Sequence, residues 1–259
     1  MRKKIINLIF LAGLKFSFGT LTPYLKISAA YLRYYITVLF KKSEKKEIIF
    51  IAGLPKSGTT WLESMLQDLN GYNSVMPVDP IIFESNYGES HNFVPRRDFF
   101  KKLSDNKWVI KLHSKFSESL NNLFKKHNIK PIIIYRQLDK VFESHFNYVR
   151  ITKFHPDYSL LKSLNKKQAI DLIKNKYENE FNDWIHGWKN SGYMCINYED
   201  LVDNTFCVLK KIFTYLGFQV DDQKINYIIE NNSIEKLRSR SVQKEFYRGS
   251  YLKEIKNKR

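Results

Sequence analysis

A short segment between a strand-like run and a helix-like run carries the residue types that bind phosphate. Residues 48–52 form an apolar run typical of a buried strand, and residues 53–61 follow it with the sequence GLPKSGTTW. An amphipathic helical pattern begins directly afterwards. Such a junction points unsatisfied backbone N–H groups and the positive end of a helix dipole at one place, where a phosphate fits. Gly53 and Gly58 allow the phosphate to approach the backbone closely.

The loop differs at one position from the Walker pattern of enzymes that use Mg-nucleotides. That pattern has a lysine directly after its second glycine, whereas this chain has Thr59 there and carries its lysine earlier, at Lys56. The strand-like run at residues 132–135 is followed by Arg136 and not by the acidic residue that a metal site favours. The loop therefore predicts a phosphate site, argues against a nucleoside triphosphatase, and predicts no metal.

Alternating strand and helix patterns would position this loop. Helical spacing of apolar residues extends over 170–188 and over 208–216, and Gly217 is a suitable helix stop. The alternation predicts an α/β fold, with a doubly wound parallel sheet of P-loop type flanked by helices and ligands at the carboxyl ends of the strands. The predicted strands are short and rich in Ile, Val or aromatic residues: 48–52, 108–112, 131–135 and 193–197.

Composition sets broader limits on the protein. Hydrophobic residues make up 43% of the chain, which is too apolar for a disordered protein. The 43 Lys and Arg against 26 Asp and Glu give a net charge of +17, which attracts phosphates, sulfates, anionic glycans, nucleic acid or acidic membrane surfaces, although charge alone does not choose among them. Cys195 and Cys207 have no metal-ligand or disulfide spacing, and we expect both to be small core residues.

Residues 55–61, PKSGTTW, resemble the 5′-phosphosulfate loop of the sulfotransferases that use 3′-phosphoadenylyl sulfate (PAPS). The resemblance extends over about residues 47–254. It implies that Lys56 contacts the 5′-phosphate and the oxygen that bridges to sulfur, and that Trp61 stacks on the adenine. The loop residues that would bind the phosphate are Ser57, Gly58, Thr59 and Thr60.

A second element of that family, an arginine followed eight residues later by a serine, is matched by Arg136 and Ser144. The resemblance implies that this pair binds the 3′-phosphate of PAPS. A guanidinium at a strand end can hold a phosphate through paired hydrogen bonds. The family usually has an aspartate four residues after the arginine, whereas this chain has Asp139 at the third position and Lys140 at the fourth.

Lys111 and His113 resemble the lysine-x-histidine end of a strand in the same family. Sulfuryl transfer needs a base that removes the proton of the acceptor and positive charge that stabilises the leaving phosphate. We expect His113 to be the base, and Lys56 and Lys111 to supply the positive charge.

Three later segments match the family less closely than the phosphate loop does. Tyr198-Glu199-Asp200 resembles a motif that places Tyr198 near the adenine, and we expect these residues to open the helix that ends at Gly217. Residues 232–237 match an adenine-contacting Thr-Ser-Phe element only weakly. Phe246-Tyr247-Arg248-Gly249 resembles an Arg-Lys-Gly clamp on the 3′-phosphate without its lysine, which implies roles for Arg248 and Gly249.

The first 46 residues are basic and apolar and lie outside the resemblance. Two apolar runs there are interrupted by Lys15 and Arg33 and are too short for a membrane span. No clean cleavage site follows the first run, so secretion is not expected. We expect an extra helical segment at 1–46 that either lies on an anionic membrane or packs on protein, followed by a sulfotransferase domain at 47–259.

The resemblance implies a PAPS-dependent sulfotransferase, which we expect in the cytoplasm or peripherally on a membrane. Its acceptor would carry a hydroxyl or amine, with a glycan or lipid favoured over a small phenol, and nucleic acid is not an expected partner. A nucleotide kinase or NTPase on the same fold and a non-catalytic anion-binding module remain as alternatives. Tight Mg-ATP binding would support the first alternative, and binding that His113→Ala leaves intact would support the second.

Overall fold

The computed structural model describes residues 47–69, 71–75, 107–152, 155 and 157–237. The expected N-terminal segment, Arg248 and Gly249 lie outside the described residues. The strands are β1 (Glu47–Gly53), β2 (Asn73–Val75), β3 (Lys107–Leu112), β4 (Ile132–Tyr135) and β5 (Met194–Asn197). The helices are α1 (Thr59–Gln67), α2 (Glu118–His127), α3 (Leu138–Ile151), α4 (Tyr158–Leu161), α5 (Lys166–Lys189), α6 (Tyr198–Asp203), α7 (Thr205–Leu216) and α8 (Asp222–Asn231).

The five strands form one parallel sheet in the order β2-β3-β1-β4-β5. In β1, Ile51 lies opposite Lys111 of β3 and Ile132 of β4. Parallel strands must be joined by crossovers. Among the described residues, α1 lies between β1 and β2, α2 between β3 and β4, and α3 to α5 between β4 and β5. The predicted α/β fold and its four strands are confirmed. The strand β2 was not predicted, because it is only three residues long and has no clear apolar pattern.

Two apolar cores hold the sheet between its helices because successive side chains of a strand point to opposite faces. On one face Phe50 packs with residues of α2, α3 and α5, among them Phe124, Phe142, Trp184 and Trp188. On the other face Ile49 and Ile51 pack with residues of α1, α7 and α8, among them Leu62, Met65, Ile212 and Ile228. Burying each such large side chain contributes about 1.5–3 kcal/mol.

Two sequence expectations about the last third are wrong. The chain after Tyr198 forms two helices, not one, because Asn204 ends α6 and its side chain accepts a hydrogen bond from the backbone N–H of Cys207 at the start of α7. Both cysteines were expected in the core, but Cys207 is exposed on α7 and Cys195 is half-buried. Gly217 does end α7 as expected, with φ of 82°.

Because all five strands run in the same direction, their carboxyl ends lie at one edge of the sheet. The phosphate loop follows β1 there, His113 follows β3, Arg136 follows β4 and Tyr198 follows β5. Among the described helices, none is long and apolar enough to cross a membrane.

Candidate active site

The loop after β1 has the backbone conformation of an anion-binding turn. Lys56 and Gly58 have φ of 63° and 77°, and Gly58 is the N-cap of α1. A left-handed conformation costs a non-glycine residue about 1–2 kcal/mol, so the conformation of Lys56 is held by its surroundings. No side chain of the described residues caps α1, and its first turn has no acid. The first N–H groups of α1 are therefore positioned for an anion.

The two glycines of the loop are required by close packing. A Cβ atom on Gly53 would lie 1.8 Å from Cγ2 of Thr59. A Cβ atom on Gly58 would lie 2.4 Å from the ring of Tyr198. The loop after β1 therefore packs against the start of α6, which follows β5. Residues that follow these two strands thus lie in one site.

Ser57 shows that this loop is built for a ligand. Its side chain is fully buried, and its Oγ has no hydrogen-bond partner among the described residues. An unsatisfied buried hydroxyl costs about 1–3 kcal/mol. A phosphate oxygen at the loop would supply the missing partner, so the residues present fit the phosphosulfate end of PAPS.

Arg136 lies at the carboxyl end of β4 as predicted, and α6 holds its guanidinium. The guanidinium carbon lies 4.4 Å from the ring centroid of Tyr198, and Nε donates to Glu199 Oε1 at 3.1 Å. Asn197 caps α6 instead, because its side chain accepts from the N–H of Glu199. Glu199 therefore orients Arg136 and does not cap α6.

Trp61 and Tyr198 place two aromatic rings beside the loop. Their centroids lie 6.2 Å apart in an edge-to-face arrangement. The indole N–H of Trp61 donates to the backbone oxygen of Asn232 at 2.7 Å. Asn232 is buried, and its side chain accepts from Ser64 and donates to Asp68. The weakly matching segment after α8 thus fixes the ring expected to contact adenine.

The ammonium group of Lys56 lies over the ring of Tyr148, 3.8 Å from its centroid. Tyr148 is on α3, four residues after Ser144, so the two side chains lie on the same face of the helix. Ser144 is half-buried there. Sequence reasoning did not single out Tyr148, although the i, i+4 spacing from Ser144 was a usable signal.

His113 is positioned from two sides. Its Nδ1 lies 2.5 Å from the backbone oxygen of Gly53. Because a carbonyl only accepts, Nδ1 carries the proton, and the lone pair of the neutral ring is then on Nε2. The indoles of Trp184 and Trp188 on α5 donate to the backbone oxygens of His113 and Ser114, both at 3.0 Å. The ring therefore has the tautomer that a general base requires.

Lys111 points at the first turns of α1. Its ammonium group lies 2.8 Å from Glu63 Oε2 and donates to Thr60 Oγ1 at 3.1 Å. Its charge is therefore shared with an internal carboxylate, which the sequence did not predict. The other expected site residues that the structure describes belong to the loop after β1, to the positions after β3 and β4, or to α1, α3 and α6: Lys56, Ser57, Gly58, Thr59, Trp61, His113, Arg136, Ser144 and Tyr198.

A buried titratable cluster lies behind Tyr148. His145 Nε2 is 3.3 Å from Asp157 Oδ2, Tyr177 donates to the same oxygen at 2.7 Å, and Lys176 donates to Oδ1 at 2.5 Å. Burial would raise the pKa of Asp157, but these hydrogen bonds bring it well below its ordinary value. The ring of His155 completes the cluster, since its Nδ1 accepts from the N–H of Asp157.

Both histidines of this cluster are neutral at pH 7. Burial lowers the pKa of His145, and burial together with the neighbouring His145 lowers the pKa of His155 to about 4. The two rings and Asp157 are close enough for one metal ion. However, the ammonium of Lys176 already neutralises the carboxylate and would repel a cation, so the donor set does not favour a metal.

Comparisons with known proteins agree with this geometry. The sulfotransferase domain family matches residues 46–258. Sulfotransferase 1A1 of Mus musculus is 23% identical over 199 residues, which cover 73% of this chain and 66% of that protein. Sulfotransferase 2A1 of Macaca fascicularis is 25% identical over 207 residues, which cover 76% and 69%. The chain thus spans about two thirds of the length of these relatives.

Two solved structures share the fold. A mouse sulfotransferase complexed with PAP (3′-phosphoadenosine 5′-phosphate, which is PAPS without its sulfuryl group) has a TM-score of 0.56 at 19% identity, over 78% of this chain and 70% of that one. Retinol dehydratase in complex with androsterone and inactive cofactor PAP has a TM-score of 0.55 at 16% identity, over 80% and 71%. Because the family match extends over most of its length, this chain belongs to the sulfotransferase domain family, whose members are enzymes that use PAPS as the sulfuryl donor.

Proposed function

We propose that this sulfotransferase moves the sulfuryl group of PAPS to a hydroxyl or amine of an acceptor. The proposal is carried by two separate anion-binding groups on one sheet edge. One is the uncapped loop with the buried Ser57 hydroxyl, and the other is Arg136, held against Tyr198. A nucleotide with phosphates on both its 5′ and 3′ positions would engage both groups, whereas ATP has no 3′-phosphate.

His113 is the proposed general base. Its Nε2 takes the proton from the acceptor hydroxyl or amine while the acceptor oxygen or nitrogen attacks sulfur in line. The bond between sulfur and the bridging phosphate oxygen breaks, and PAP leaves with the electron pair. Gly53, Trp184 and Trp188 support this role because they fix the tautomer and the backbone of His113.

Lys56 is proposed to stabilise the charge that builds on the leaving phosphate. Its ammonium group lies over Tyr148, on the same face of α3 as Ser144, and therefore lies between α3 and the loop that carries it. Arg136 and Ser144 are proposed to bind the 3′-phosphate, with Arg248 and Gly249 completing that clamp. Trp61 and Tyr198 are proposed to contact the adenine.

Calorimetric titration with PAP tests the donor site. We expect micromolar binding that Lys56→Ala and Arg136→Ala each weaken at least about tenfold, with ATP binding poorly. The matched control is Lys107→Ala, because Lys107 begins the strand that leads to His113 but lies at its opposite end and is more exposed. Preference for Mg-ATP, or equal weakening by Lys107→Ala, would contradict the proposal.

A glycan or lipid is the proposed acceptor class. The support is the net charge of +17, which favours an anionic or surface-bound acceptor over a small neutral phenol. The test is transfer of labelled sulfuryl groups from PAPS to glycolipid in vesicles beside a small phenol. Faster turnover of the free phenol would contradict this class while leaving the donor site intact.

Residues 1–46 are proposed to hold the enzyme on an anionic membrane surface. Lysines flank the apolar runs of this segment, as in helices that lie in the interface. Deleting residues 1–46 should release the protein from vesicles that contain an anionic lipid. PAP binding of the shortened chain serves as the folding control, and unchanged vesicle binding by a chain that still binds PAP would refute the anchor.

A further inference from the structure

Glu63 is a buried acid next to the proposed donor site. It lies on the second turn of α1, four residues after Thr59, and only 9% of it is exposed. No motif of the sequence assigns it a role. A carboxylate this close to a site for an anionic nucleotide repels the nucleotide unless a neighbouring cation neutralises its charge.

The cation that pairs with Glu63 is Lys111. Glu63 Oε2 lies 2.8 Å from the Lys111 ammonium, and Glu63 Oε1 accepts a hydrogen bond from Ser74 on β2 at 2.5 Å. The same ammonium donates to Thr60 Oγ1 at 3.1 Å. Only 13% and 12% of the Lys111 and Glu63 side chains are exposed, so the pair is poorly screened by solvent. Ser74 thus aims the carboxylate, and the carboxylate holds the ammonium beside the loop.

We propose that Glu63 is a positioning residue that holds the Lys111 ammonium at Thr60 and offsets its charge, and so limits how tightly the site binds the donor nucleotide. This inference rests on the proposed PAPS site. Two consequences of opposite sign follow from it. Removing the charge but keeping the shape leaves the ammonium to pair with the phosphates, so binding tightens. Keeping the charge on a shorter side chain draws the ammonium away from Thr60, so binding weakens.

The test is titration with PAP of the wild-type full chain and of Glu63→Gln, Glu63→Asp and Lys111→Met, with melting temperatures of the same proteins. We expect Glu63→Gln to tighten PAP binding about threefold to tenfold although it lowers the melting temperature, and Glu63→Asp to weaken binding by a similar factor. In a Lys111→Met background, Glu63→Asp should no longer weaken PAP binding, because the ammonium that the shorter side chain would draw away is absent.

Glu47→Gln is the matched control, since Glu47 pairs with Lys107 at the other end of β3 at 3.4 Å and is 57% exposed. It should leave PAP binding unchanged. Weakening by both Glu63 variants in proportion to their loss of stability, or no change in either, would overturn the inference and assign the pair to the fold alone. If the wild-type chain fails to bind PAP, the proposed donor site itself is refuted, which is a distinguishable result.

Discussion

Two buried polar regions lie side by side in this protein and differ in how their hydrogen bonds are satisfied. At the loop after β1, the Ser57 hydroxyl has no partner among the described residues, Lys56 has a left-handed backbone, and no described side chain caps α1. In the cluster behind Tyr148, Asp157 accepts from three side chains. The loop offers a buried hydroxyl and an uncapped helix start that a ligand can complete, whereas the carboxylate of Asp157 already has its partners within the protein. Burial and charge alone would not have separated them.

The largest expected effect comes from a substitution in the loop after β1. Gly58→Ala places a Cβ atom 2.4 Å from the Tyr198 ring at φ of 77°. We expect PAP affinity to fall about 100-fold or more, because the loop or the ring must move. Gly217→Ala is the control for backbone strain, since Gly217 has φ of 82° and no atom within 4 Å of its Cβ position. Calorimetry should show unchanged PAP affinity for Gly217→Ala, and equal losses would deny that the contact with Tyr198 matters.

A substitution in the cluster should lower stability and leave PAP affinity unchanged. Asp157→Asn removes the charge that Lys176 and His145 contact, and we expect about 2 kcal/mol lower stability with PAP affinity unchanged within about twofold. Urea denaturation and titration measure the two quantities. A large loss of PAP affinity at full stability would show that the cluster belongs to the donor site.

The pH dependence of stability sharpens the comparison further. The pKa of His155 falls to about 4 in the folded protein, below its ordinary value near 6.5. Between those values the unfolded chain binds more protons, so stability should fall as pH decreases from about 6.5 towards 4. Buried His145, whose pKa is also lowered, adds to the same trend. Melting temperatures of His155→Gln should depend less on pH over this range, and a dependence as steep as in the wild type would exclude His155 as its source.

The smallest effect concerns the support of His113. Trp184→Phe removes the indole N–H that donates to the His113 backbone oxygen but keeps an aromatic ring in the core. The expected loss is about 1–3 kcal/mol of stability, because a buried carbonyl loses its donor, with a lower rate of sulfuryl transfer at unchanged PAP affinity. Leu161→Ala, which truncates a buried side chain of α4, is a control for stability loss alone. A transfer rate that falls equally in both variants would attribute the effect to stability.

Those parts of the site that depend on residues close together in the chain could be predicted from the sequence. Residues 48–61 form the expected strand, loop and helix because apolar periodicity and glycine spacing act over a few residues, and parallel strands bring His113, Arg136 and Tyr198 to the same edge. The pairing of Glu63 with Lys111 could not be predicted, since it depends on the register of β3 against α1. The contact of Trp61 with Asn232 joins residues 171 positions apart and has no local signal.

Side chains of helix α5 contact both the cluster and the backbone at His113. Tyr177 donates to Asp157 of the cluster, and Trp184 and Trp188, about two and three turns onward, donate to the backbone at His113 and Ser114. Spacing along this helix thus sets the distance between the cluster and the backbone at His113. A one-residue insertion between Tyr177 and Trp184 would rotate the later contacts by about 100° and uncouple His113 from the cluster. Any change in the length or twist of this helix would therefore move the proposed general base.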